Sequence, residues 1–237
     1  MFSLAFLAIL SSCSNVDDDN EIISEVPQTE KPYQNGVLMS NEGNFGSSNA
    51  EISFIKDDFS VVSNKIFALN NNNLALGDVA QYIGFHNDLA FVVMNNSNTI
   101  QIVNRYTFKK INQITENLNQ PRAIAFANEK IYVTNANSKT VTVYNASNYA
   151  FVKSIDLNFQ PEKLVATTNY VYVQTSNYAA GNAVEIINTA TDLNTSDLNF
   201  SSAMNGVTLD KSTNSVYVIG SDANKTEISK IVNTEIS

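Results

Sequence analysis

From residue 35 onward, apolar residues alternate with polar ones in short runs instead of recurring at helical spacing. The clearest stretch lies between Pro121 and Leu157. There Arg122-Ala123-Ile124-Ala125-Phe126, Ile131-Tyr132-Val133-Thr134-Asn135, Thr140-Val141-Thr142-Val143-Tyr144 and Phe151-Val152-Lys153-Ser154-Ile155-Asp156-Leu157 each read as a period-two strand, with Asn, Ser and Lys between them. Four short strands in series, joined by polar turns, predict one antiparallel four-stranded unit.

The unit repeats. A step back of about 41 residues puts Ile83 on Ile124, Phe85 on Phe126, Phe91 on Tyr132 and Thr99 on Thr140. A step forward of about 40 puts Pro161 on Pro121 and Tyr172 on Tyr132; Tyr178 to Asn182 then lengthens one turn, and a fourth strand runs from Leu193 to Phe200. A last copy begins near Asn205 and shows Val216 to Ile219 and Glu227 to Val232, with no outer strand. At the other end Val37 to Asn41 matches Ile131 to Asn135, so the first copy begins at its second strand. This period predicts an all-β chain, a β-propeller of four-stranded blades over residues 35–237. About five blades are represented, incomplete at both ends, with the complete ones between Val79 and Phe200. An open arc exposes strand edges, so the expectation is a C-terminally truncated chain from a protein of about seven blades. The aromatic residues that recur in register, Phe85, Phe126, Tyr132, Tyr172 and Tyr217, read as packing between blades.

The formal net charge of -9 and pI of about 4.5 remove the basic footprint that binding nucleic acid requires. Cys13 is the single cysteine, which excludes an intrachain disulfide and a thiolate metal cluster. Its neighbours give it a different meaning. Phe2 to Leu10 is an apolar run of signal-peptide length, too short to span a bilayer. Leu10-Ser11-Ser12-Cys13 resembles the bacterial lipobox, which implies a signal peptide over residues 1–12 and lipidation of Cys13. No Lys or Arg precedes the apolar run. Residues 13–34 then read as a lipidated cysteine and an acidic tether too polar to pack. Within it, Asp17, Asp18 and Asp19 resemble the acidic export signal of surface-exposed lipoproteins of Bacteroidetes; no Gly-bent loop orders them for calcium.

Tyr132-Val133-Thr134-Asn135 spells the signature of YVTN-type β-propeller repeats. The opening copy, Ser40-Asn41-Glu42-Gly43-Asn44-Phe45-Gly46 followed by Ala50 to Ile55, looks like the first repeat of Bacteroidetes surface lipoproteins in that superfamily. The resemblance implies an outer-membrane, lipid-anchored protein facing the cell exterior. Some such lipoproteins sit over TonB-dependent transporters and capture corrinoids such as vitamin B12. The repeats themselves specify fold and not ligand.

Catalytic chemistry is hard to assemble here. His86 is the only histidine and falls at the end of an inner strand, so a zinc site or a Ser-His-Asp arrangement lacks its parts. The chain has no tryptophan, and no second cysteine, for a protein-derived quinone of the kind used by quinoprotein propellers. The expected function is therefore binding without catalysis and without cofactor or metal. A quinoprotein-like or lyase-type enzyme is one alternative, and an adhesin or protein scaffold another.

In a simple meander, the turn between second and third strands and the link into the next blade share one face. That face collects Asn41, Glu42, Asn44, Phe45, Asn95, Asn135, Asn137, Asn177 and Tyr178 from the turns, and Asp78, Arg122 and Lys163 from the links. Gln81 and Glu162 join them there. Amides both donate and accept, which suits an uncharged ligand such as a corrinoid or glycan, with Phe45 and Tyr178 available for stacking. Asn also favours turns by bonding its own backbone.

The lipid assignment is open to direct test. Cys13→Ala should abolish fatty-acid labelling and release the protein in soluble form; undiminished labelling would contradict it.

Overall fold

The computed structural model describes residues 31–175 and 181–237, and Lys31–Ser237 forms one compact unit. Its architecture is five antiparallel sheets, each a meander in chain order. Blade I holds β1 (Gly36–Asn41), β2 (Glu51–Lys56) and β3 (Val62–Ser63), followed by the short helix α1 (Ile66–Asn70). Blade II holds β4 (Ala80–His86), β5 (Leu89–Met94), β6 (Thr99–Asn104) and β7 (Lys110–Ile114). Blade III holds β8 (Pro121–Ala127), β9 (Lys130–Asn135), β10 (Thr140–Asn145) and β11 (Phe151–Asp156). Blade IV holds β12 (Pro161–Ala166), β13 (Tyr170–Thr175), β14 (Ala183–Asn188) and β15 (Leu193–Asn199). Blade V holds β16 (Ala203–Asp210), β17 (Ser215–Ser221), β18 (Thr226–Val232) and β19 (Glu235–Ile236). The innermost strands meet in succession, β4 with β8, β8 with β12 and β12 with β16. This is a β-propeller arc.

Blade I begins at the second-strand position, as the repeat predicts. Blade V differs from expectation, because a two-residue outer strand pairs Ile231 with Ile236. Asn233 makes the turn tight enough by adopting the left-handed region at φ 55°, which Asn tolerates.

Contact between blades rests on two columns of the repeat. The second strand of each blade contributes Leu38, Phe91, Tyr132 or Tyr172. The turn between third and fourth strands of the following blade contributes Phe108, Tyr149, Asp192 or Asn233, all with φ between 52° and 63°. Phe91 meets the ring of Tyr149 edge-on at 6.2 Å. The Tyr132 hydroxyl donates to Asp192 Oδ1 at 2.7 Å, and that of Tyr172 to the Asn233 carbonyl at 2.7 Å. Lys130 Nζ holds the other carboxylate oxygen of Asp192 at 2.6 Å. The left-handed turn is encoded locally. Asn104, Asn145 and Asn188 end their strands, and each Oδ1 accepts a backbone N–H two residues on. Four residues on, Phe108, Tyr149 and Asp192 return a backbone bond to the same Asn.

A third column ties each connecting link to the blade it enters. Gln101 donates to the Leu76 carbonyl and Thr142 to the Asn117 carbonyl, while the carboxylate of Glu185 accepts from the backbone of Asn158 and Phe159. Glu185 is fully buried. Burial pushes its carboxyl above the ordinary range, and the two backbone donors pull it back.

The expected packing role holds for Tyr132 and Tyr172, which are at most 1% exposed, and Phe91 fills the same position in blade II. Phe85 departs from it, being 46% exposed with the Arg105 guanidinium 5.1 Å from its ring. The reason is topological. Phe126, its counterpart, packs on Phe91 and His86 of the preceding blade, whereas Phe85 faces blade I, which has no innermost strand to cover it.

Burial also raises the pKa of the Tyr132, Tyr144 and Tyr172 phenols, with Asp192 adding to Tyr132. A folded-state pKa above the unfolded one makes a contribution to stability that is complete below about 10 and lost as pH rises beyond it. The chain should therefore unfold cooperatively above pH ~10, with late phenolate absorbance appearing together with loss of β-sheet circular dichroism. A single smooth phenol titration with the fold retained would contradict this.

Candidate functional site

Each innermost strand carries a β-bulge near its start, between Ala80 and Tyr82, Pro121 and Ile124, Pro161 and Leu164, and Met204 and Gly206. A bulge leaves a residue out of the ladder and re-aims its side chain. The residues so released include Gln81, Arg122 and Glu162, one position of the repeat in blades II, III and IV. They join across the blades. Arg122 Nε and Nη2 fork onto the Glu162 carboxylate at 3.0 and 2.5 Å, and Nη1 donates to Gln81 Oε1 at 2.7 Å. Gln81 Nε2 reaches Glu42 Oε1 of blade I at 3.4 Å. A polar ladder thus crosses four blades at the turn end of their inner edge.

Beside it stands the loop between β1 and β2. Gly43 and Gly46 have φ of 76° and 78°. At Gly43 an added Cβ would meet Asn49 Oδ1 at 2.4 Å, so glycine is required twice over there. The backbone of Asn44 donates to Asn49 Oδ1 at 2.8 Å, Ser47 to the Asn44 carbonyl, and Ala50 to the Gly77 carbonyl. Asp78 fastens the loop to blade II, its Oδ2 accepting from the Gly46 backbone at 2.8 Å and from Asn96 Nδ2 at 2.6 Å. The next residue, Val79, sits at φ 60°, a conformation costing a β-branched residue about 1–2 kcal/mol. Its carbonyl holds the Asn95 N–H at 2.8 Å. The outcome is a braced loop from which Phe45 projects, 73% exposed.

The residues singled out from sequence divide into three sets. Glu42, Asn44, Phe45, Asn137 and Lys163 lie on the exposed turn face. Asn41, Asp78, Asn95 and Asn135 belong to the framework. Asn135 is fully buried, bonding Thr142 Oγ1 at 2.8 Å and accepting from the Asn119 backbone; Asn41 repeats this with Ser53 at 2.9 Å. Asn95 donates to the Pro121 carbonyl of the next blade. Even exposed Asn137 gives its amide to Asn119. Cys13, Asp17, Asp18, Asp19, Asn177 and Tyr178 fall outside the described residues.

Arg122 also changes meaning. With both edges of its guanidinium taken by Glu162 and Gln81, it is a structural cation and not an open anchor for a phosphate or carboxylate. Glu42 and Glu162 add negative charge beside it, and Lys163 is an exposed cation on the same face. Gln81 and Glu162 stood in the background of the sequence pattern, although the step of about 41 residues back and of about 40 forward aligns them with Arg122. Arg122→Ala strips a half-buried carboxylate of its partner and should cost about 1–3 kcal/mol by thermal or denaturant unfolding. Removing Glu162 as well should return part of that loss; equal stability of wild type and single variant would refute the ladder's role.

Among solved structures, the chain resembles Kuenenia stuttgartiensis hydrazine synthase at TM-score 0.55 and 19% identity, covering 61% of this chain and 42% of that one. It resembles the dihydro-heme d1 dehydrogenase NirN at TM-score 0.59 and 10% identity, covering 79% and 41%. The WD40 domain of Neurospora crassa Pan2 aligns at TM-score 0.58 and 12% identity, covering 85% and 60%. Likeness at these identities establishes the propeller fold alone. The chain spans 41–60% of the length of these three structures. No curated protein matches it. The DUF5074 family, a domain of unknown function, matches residues 35–236, and the chain belongs to that family.

Proposed function

We propose that this protein is a non-catalytic surface lipoprotein, anchored through Cys13, that captures an uncharged polar ligand on the turn face of its propeller and passes it to a TonB-dependent outer-membrane transporter. The observation that carries the binding role is the braced loop with Phe45. Two left-handed glycines, Asn49 and the buried carboxylate of Asp78 hold a large aromatic ring out in water. A preordered ring loses little entropy when a ligand stacks on it. The adjoining ladder supplies amide and carboxylate acceptors with its cation already neutralised. A corrinoid, with its peripheral amides, or a glycan meets those requirements. The anchor and the transporter rest on the lipobox-like segment and the resemblance of the opening repeat.

Calorimetry with a corrinoid and then with glycans tests this reading. Phe45→Ala should weaken binding by about 1 kcal/mol and leave the fold unchanged. Phe59, 80% exposed in the turn between β2 and β3 on the opposite face, provides a matched aromatic control, and Phe59→Ala should bind like wild type. Loss of affinity in the control alone would move the site to the other face. Failure of every small ligand would favour a protein partner, and turnover would favour an enzyme.

A further inference from the structure

On the outer rim of the propeller, β7 and the start of the following link face the outer turn of blade III across a groove of about 250 Å³. Blades II and III are both complete, and each has a further blade on its other side. The lining departs from the repeat at three positions. Tyr144 stands where blades II and IV carry Val103 and Ile187, and Phe151, its partner across β10 and β11, where they carry Lys110 and Asn194. Glu116 is exposed at the position that buried Leu157 takes in the next link. The Tyr144 hydroxyl donates to the Glu116 carbonyl at 2.5 Å and so holds this link in place. Phe151 meets the Tyr144 ring edge-on at 6.3 Å and is still 42% exposed. Packing between blades does not demand a ring there, since Lys110 and Asn194 serve in the neighbouring blades.

The polar groups beside that ring are oriented. Asn112 Oδ1 accepts the Gln113 backbone N–H at 2.8 Å, Asn148 Oδ1 accepts that of Ala150 at 3.0 Å, and Gln113 Oε1 accepts from Lys110 Nζ at 2.7 Å. A backbone N–H or an ammonium only donates, so each bond occupies the oxygen end of its amide and leaves the NH2 end to the groove. Glu116 adds a carboxylate that joins no salt bridge among the described residues. We infer that this groove is a second binding site, for a neutral sugar residue. Sugar hydroxyls accept from the three amides and donate to Glu116, while the C–H face of a pyranose stacks on Phe151. The site stands apart from the turn face and holds whatever ligand that face takes.

Saturation-transfer NMR on the full chain, with the methyl glycosides of glucose, galactose, mannose and N-acetylglucosamine at millimolar concentration, tests this. Wild type should transfer saturation to the ring C–H protons of at least one of these sugars. Phe151→Ala should weaken that binding about fivefold. Asn112→Asp and Asn148→Asp keep the oxygen that holds the backbone N–H and lose only the NH2 donor, and each should weaken it about threefold. All three positions are exposed, so circular dichroism should be unchanged. Phe45→Ala should bind the sugar like wild type. Absence of transfer to every one of these sugars overturns the inference, as does binding that none of the three groove variants weakens. Loss of transfer in Phe45→Ala would also overturn it, by placing the sugar on the turn face.

Discussion

Blades II to V are joined by one recurring contact, the side chain at the second-strand aromatic position against a left-handed residue in the next blade's outer turn. An isolated four-stranded meander presents two flat apolar faces and buries neither. Stacking buries both. The left-handed turn residue matters because it swings a side chain or carbonyl back over the preceding blade, where Tyr132 and Tyr172 bond it and Phe91 packs on it. A strand-terminal Asn makes that conformation attainable by accepting backbone N–H groups in three successive blades. One local turn rule, repeated, thus sets the rotation from blade to blade.

The candidate site combines one repeated feature with one that occurs in blade I alone. The inner-strand bulges free Gln81, Arg122 and Glu162 from the ladder, and because they occupy one column their side chains meet near the axis end to end. The loop of blade I is longer than the corresponding turns of blades II and III, and its extra residues have no counterpart to pack against. Asp78 and the left-handed glycines therefore hold it from below and leave Phe45 uncovered. The strained backbone of Val79 lies between these two devices, which places the stored strain beside the site and away from the packed blades.

Read alone, the sequence determined the strand periodicity, the repeat of about 41 residues, the missing innermost strand of blade I and the single-blade features at Glu42 to Phe45. All of these depend on local alternation and turn chemistry, which a chain carries within each short segment. It also placed Glu42, Asn44, Phe45, Asn137 and Lys163 on the turn face. What it could not decide was which of them remain free. Asn135 and Asn44 look alike as turn residues, yet one is buried under a link and the other exposed, a difference set by how the connection from the preceding blade passes over it. Arg122 reads as an available cation until Glu162, 40 residues away, forks onto it. Burial and pairing of polar groups belong to contacts between blades, so only the stacked tertiary structure assigned them.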